Sequence, residues 1–112
     1  MNEVEQRTKE LTGAIQRSSV YTQYQILYNE LKENHQLCDR VNEFRRRRFQ
    51  LEMSETDHLV EQMNGLSWEF KDILEQTLVK EFLAAEQRYG KMFRKVRNEV
   101  LTVFDEAIDI FE

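Results

Sequence analysis

His35, Cys38 and Asp39 stand at i, i+3 and i+4, so a helix carries all three on one face as a partial zinc-ligand set. A structural zinc site takes four ligands, and the sequence offers no second ligand pair; His58 is isolated. His35 and His58 therefore read as surface residues, and no metal is expected. No glycine-rich phosphate loop, nucleophile elbow or HExxH pattern occurs. The chain reads as non-enzymatic, with no catalytic residue and no cofactor.

Charge is the other chemistry on offer. Arg45, Arg46, Arg47 and Arg48 are consecutive, and on a helix they point in four directions about 100° apart rather than forming one basic patch. Arg46 and Arg47 are expected to face outward, as solvated structural arginines or as contacts to RNA phosphate or an acidic partner surface. A second basic stretch holds Arg88, Lys91, Arg94, Lys95 and Arg97, and Arg88, Lys91 and Lys95 share a face. Beyond it come only acids, Glu99, Asp105, Glu106, Asp109 and Glu112. Acids at the end of a helix oppose its dipole, and the basic stretch of a second, antiparallel copy would offset that cost. Glu86 falls in an apolar seam between Phe82 and Tyr89, where a buried carboxylate needs a partner; Arg45 and Arg48 are the expected ones.

These side chains need helices to position them. The 112 residues include no proline, three glycines and 33% charged residues, which describes a helix-rich chain of one domain. Seven Phe, four Tyr and one Trp supply a core. The net charge of −5 argues against a protein that coats nucleic acid generally. One cysteine excludes an internal disulfide and suits a reducing cytoplasm. No apolar run is long enough for a signal peptide or a membrane span.

Apolar periodicity predicts helix one from about Glu3 to Arg17, with Gly13 marking close approach by another helix. Helix two covers about Val20 to Glu33, with Val20, Tyr24, Leu27 and Leu31 inward. Asn34 is the only candidate break before helix three, His35 to Met53. Helix four, capped by Ser54 or Thr56, turns Leu59, Met63, Leu66, Phe70 and Ile73 inward as far as Gln76 and passes through Asn64-Gly65 unbroken. Trp68 lies off that stripe, in line with Val60, and is expected to pack within the chain or its dimer.

The last helix is the longest, from Leu78 to Glu112 behind a Thr77 cap. Phe82, Tyr89, Val96, Val103 and Ile110 recur every seventh residue, with Phe93, Val100 and Ala107 between them. Phe104 and its neighbours widen the seam. A helix of that length, about 50 Å, carries more apolar surface than so short a chain can cover. The seam therefore predicts an oligomer interface made of Phe82, Tyr89, Phe93, Val96, Val100, Val103, Phe104, Ala107 and Ile110. The fold class expected is an all-α antiparallel bundle of four to five helices with a long, oligomerising C-terminal helix.

Three segments resemble the YlbF/YmcA family of small helical regulators from Gram-positive bacteria, including its YheA-like subgroup. They are Ala14-Ile15 with Ser18, Ser19 and Tyr21; Val41-Asn42-Glu43-Phe44-Arg45; and Phe82-Leu83-Ala84-Ala85-Glu86-Gln87-Arg88. The resemblance implies an all-helical homo-oligomer, a dimer or higher, with a regulatory role and no catalysis. It also implies protein partners, among them related family members or the endoribonuclease RNase Y, and effects on RNA processing, competence, sporulation and biofilm formation. Some members bear an iron–sulfur cluster on a cysteine-containing tail; Cys38 alone cannot ligate one, so no cluster is expected. The expected function is thus a cytoplasmic helical adaptor, and the alternative is direct RNA binding through the basic patches.

Overall fold

The structure, a computed structural model, describes residues 2–109, with side chains through Val103. Six helices account for nearly all of it: α1 (Glu3–Arg17), α2 (Ser19–Lys32), α3 (His35–Met53), α4 (Leu59–Glu69), α5 (Lys71–Leu74) and α6 (Thr77–Asp109). No strand occurs among the described residues. The fold is all-α, as the apolar periodicity predicts, with one helix more than expected.

Polar side chains set the boundaries. The Asn2 side chain accepts from the Glu5 amide at 2.8 Å and opens α1. Ser18 ends it: its hydroxyl donates to the Ile15 carbonyl at 2.7 Å and accepts from the Tyr21 amide at 3.2 Å, so one side chain closes α1 and starts α2. Asn34 does break the chain between α2 and α3. Its backbone is extended, and its side chain accepts from the Leu37 amide at 3.1 Å. Neither Ser54 nor Thr56 caps α4. The Ser54 hydroxyl serves the Leu51 carbonyl at the end of α3, and Thr56 accepts from the His58 amide, so α4 opens only at Leu59 behind His58. Helix four also stops early. At Phe70 the chain leaves helical geometry, and this turn presents Leu66, Phe70 and Ile73 to the same core.

Packing gathers into two compact units, Gln25–Leu83 and Met1–Tyr24 with Ala84–Glu112; α2 and α6 each run through both. In the Gln25–Leu83 unit, α3 packs on α4 and α5. Its core holds Leu27, Leu31, Leu37, Cys38, Val41, Phe44, Leu66, Phe70, Ile73, Val79 and Phe82. Phe44 meets Phe70 with ring centroids 5.6 Å apart, and Tyr28 meets Phe82 at 5.6 Å.

The other unit is built differently. Among its described residues only Ala85 is a buried apolar side chain. Tyr24 stacks on Tyr89 with centroids 5.2 Å apart, and Tyr21 meets the same ring at 5.5 Å. Helix α1 buries none of its residues. No other helix comes closest at Gly13, where one was expected: the atoms nearest a side chain there belong to the Arg17 guanidinium of its own helix, the first at 2.8 Å.

Candidate functional site

Position along α6 decides what its seam can do. Phe82 is 0% exposed and sits in the core of the Gln25–Leu83 unit, with the Arg45 guanidinium 5.1 Å from its ring centroid. It is spent within the chain and is withdrawn from the expected oligomer face. Tyr89 is half-buried under Tyr21 and Tyr24, and Val96 is also half-buried. Further along, the seam opens: Phe93 is 51%, Val100 61% and Val103 72% exposed. Leu101 beside them is exposed too, as are Val4 and Leu11 on α1. Phe104, Ala107 and Ile110 lie outside the described residues and side chains. The heptad continues unbroken from core to surface, and periodicity alone carries no mark of the crossing.

Helix α3 disposes of its arginines one by one. Arg45 donates to Asn42 at 3.0 Å and covers Phe82. Arg48 lies 5.6 Å over the Phe44 ring, with its Nε 3.8 Å from Glu52. Arg47, expected to reach outward, is instead held by both oxygens of Glu69 and lies 5.5 Å over Phe70. The Glu69 hydrogen bond raises the Arg47 pKa, and the same bond holds the Glu69 carboxyl below its usual range. Arg40 bonds Asp72 in the same manner, lowering the Asp72 pKa, and covers the Phe70 ring at 5.1 Å. Two arginines thus clasp Phe70, which sequence reasoning did not anticipate; the signal was a pair of carboxylates, Glu69 and Asp72, flanking the point where helix four breaks.

Arg46 is exposed, and so are Lys91 and Lys95. Arg88 is exposed but donates to Gln23 at 3.2 Å. Of the residues assigned to RNA or partner contact, Arg47 is therefore committed to its own fold and Arg88 is partly so. Glu86 is half-buried on α6. The Cys38 thiol is buried and accepts from the Asn42 side chain at 3.6 Å. Among the described residues no three His, Cys, Asp or Glu side chains converge on a point that would hold a metal, and no helix is long and apolar enough to cross a membrane.

Trp68 does not pack within its own chain, the first of the two places expected for it. It is 74% exposed on α4, with Val60 72% exposed on the same face and the Lys71 ammonium 4.8 Å from the indole. Beside it, Arg47, Gln50 and Leu51 of α3 and Gln62, Gly65, Leu66 and Glu69 of α4 line a cleft of about 360 Å³.

Exposed apolar side chains thus stand on α1, α4 and α6, and large patches of this kind mark interaction surfaces. The family model described as control of competence regulator ComK, YlbF/YmcA, matches residues 4–102. The chain belongs to the YlbF/YmcA family. No curated protein and no solved structure matches it. The match spans α1 to the exposed part of α6, so it covers all three segments in which the resemblance lies. YlbF/YmcA membership carries a regulatory role by its description.

Proposed function

We propose that this protein is a non-enzymatic helical adaptor that self-associates through the outer part of α6 and regulates by binding protein partners. The single observation that carries the reading is the imbalance between the two units. Among the described residues, eleven of the twelve buried apolar ones lie between Leu27 and Phe82, whereas Phe93, Val100, Leu101 and Val103 continue the seam into solvent. Apolar area is worth roughly 25 cal/mol per Å² when removed from water, so a stripe of this kind favours burial against a second surface.

A second copy suits the charges. An antiparallel neighbour sets the basic stretch Arg88–Arg97 against the acids from Glu99 onward. Oligomers of one chain most often close as two-fold dimers, which require a self-complementary patch of this sort. Family membership supports regulation of competence as the setting, and the resemblance suggests RNase Y-linked RNA processing, sporulation or biofilm formation as the finer one.

Sedimentation velocity on the native chain and on Val100→Glu tests the proposal. The expected result is a dimer or higher oligomer at micromolar concentration, converted to monomer by the substitution with its circular dichroism unchanged. A native chain that sediments as a monomer overturns it.

A further inference from the structure

Along α6 the charges and the apolar seam share one centre, Val100. Lys91 and Asp109 stand nine residues on either side of it, Arg94 and Glu106 six, and Lys95 and Asp105 five, each pair of opposite sign. In the sequence Arg88 and Glu112 continue the series at twelve. Four of the five basic residues from Arg88 to Arg97 thus have an acid at the mirror position, and no other centre gives more than three such pairs. The seam is arranged about the same residue. Val96 and Phe104 lie four residues to either side, and Phe93 and Ala107 lie seven, a large ring mirrored by a methyl.

The folded chain leaves this pattern open. Val100 is 61% exposed, and Phe93 is exposed with it. Lys91, Arg94 and Lys95 are exposed too, and the ion pairs among the described residues include none of them. Helix α6 runs without a break through Asp109, so positions equidistant from Val100 in the sequence are equidistant along one axis.

We infer that two copies of this chain pair antiparallel along α6 about a two-fold axis at Val100, so that Val100 meets Val100 of the second copy and Phe93 meets its Ala107. The inference rests on the self-association reading and gives it a register. A two-fold interface requires a patch complementary to itself, and a charge pattern that changes sign on reversal about Val100 is such a patch. Parallel copies would instead set Lys91 beside Lys91 and Asp109 beside Asp109, like charge against like. The overlap from Lys91 to Asp109 is about 27 Å at about 1.5 Å per residue. Lys91 and Lys95 stand off the seam, so the charges align the two rods over roughly a Debye length of 8–10 Å rather than as bonded pairs. The antiparallel arrangement also lays the two helix dipoles head to tail.

Single cysteines read the register directly, because the native Cys38 is buried. A cysteine at 100 faces its own copy across the axis. One at 93 stands about 21 Å along the axis from its counterpart, and a disulfide spans a Cα separation of at most about 7 Å. Each variant is oxidised with diamide at a concentration where sedimentation shows it associated. Val100→Cys should become a covalent dimer, while Phe93→Cys and the native chain stay unlinked. The double variant Phe93→Cys, Ala107→Cys should link again. Lys95→Glu should weaken the dimer about threefold or more, and adding Asp105→Lys should restore native affinity, with circular dichroism unchanged in both. An associated Val100→Cys that fails to link, a Phe93→Cys that links as fast, or a charge swap that restores nothing overturns the register and leaves self-association standing. A native chain that sediments as a monomer overturns the self-association reading itself, so the two failures are distinguishable.

Discussion

Arg47 holds Glu69 with two parallel bonds, Nη1 to Oε1 at 2.8 Å and Nη2 to Oε2 at 2.7 Å. The pair joins the C-terminal half of α3 to the last residue of α4, and the guanidinium lies over the buried Phe70 ring between them. Lysine cannot reproduce this arrangement, because it lacks both the planar fork and the flat face that covers an aromatic ring. An arginine that looks like a ligand for phosphate is thereby a clasp on the point where the chain turns.

That clasp gives the stability a pH dependence of known sign. The folded-state pKa values of Glu69 and Asp72 are lowered, chiefly by their hydrogen bonds to Arg47 and Arg40. Their contribution is fully present above the unfolded values, about 4.3 for Glu and 3.9 for Asp, and is lost as pH falls through the lower folded values. Glu69→Gln should therefore melt below the native protein at pH 7, with the gap closing towards pH 2–3. Both carboxylates are exposed, so the gap should be small. A gap that persists unchanged at the acid end would contradict this assignment.

Phe82 and Phe93 are both on the seam of α6 and should behave oppositely on replacement by alanine. Phe82→Ala empties a fully buried site and should cost about 3–5 kcal/mol in urea unfolding at any protein concentration. Phe93→Ala should cost under about 1 kcal/mol in the monomer. Its effect should instead appear as lost concentration dependence of Tm, because association stabilises by mass action.

Asn34 ends one helix and begins the next through a single side-chain bond to the Leu37 amide. Asn34→Ala should cost about 1 kcal/mol. Asn34→Ser or Asn34→Asp should recover most of it, as read by chemical denaturation.

Gly65→Ala should stabilise the isolated chain by about 0.5–1 kcal/mol, since the site is open and helical. A destabilisation would show that Gly65 serves the fold of the chain itself. At Gly13 the added methyl meets the Arg17 guanidinium, which must move aside, so the gain there should be smaller.

The sequence alone determined that the fold is all-α and where most of its helices lie. It did so because apolar spacing and side-chain caps act over one or two turns and are written locally; the spans of α1 and α3 follow from it directly. It also determined the family, through three short segments that lie on α1 and α2, on α3 and on α6. Only the tertiary structure decided which part of a uniform heptad would be covered. Phe82 and Val103 occupy equivalent positions in the pattern, and burial of one and exposure of the other depends on which helices happen to reach them. The same holds for the arginines, whose partners Glu69 and Asp72 are 22 and 32 residues away in the chain. Trp68 lies off the inward stripe of α4 already in the sequence; in the folded chain it is exposed, while Leu66 on that stripe is buried.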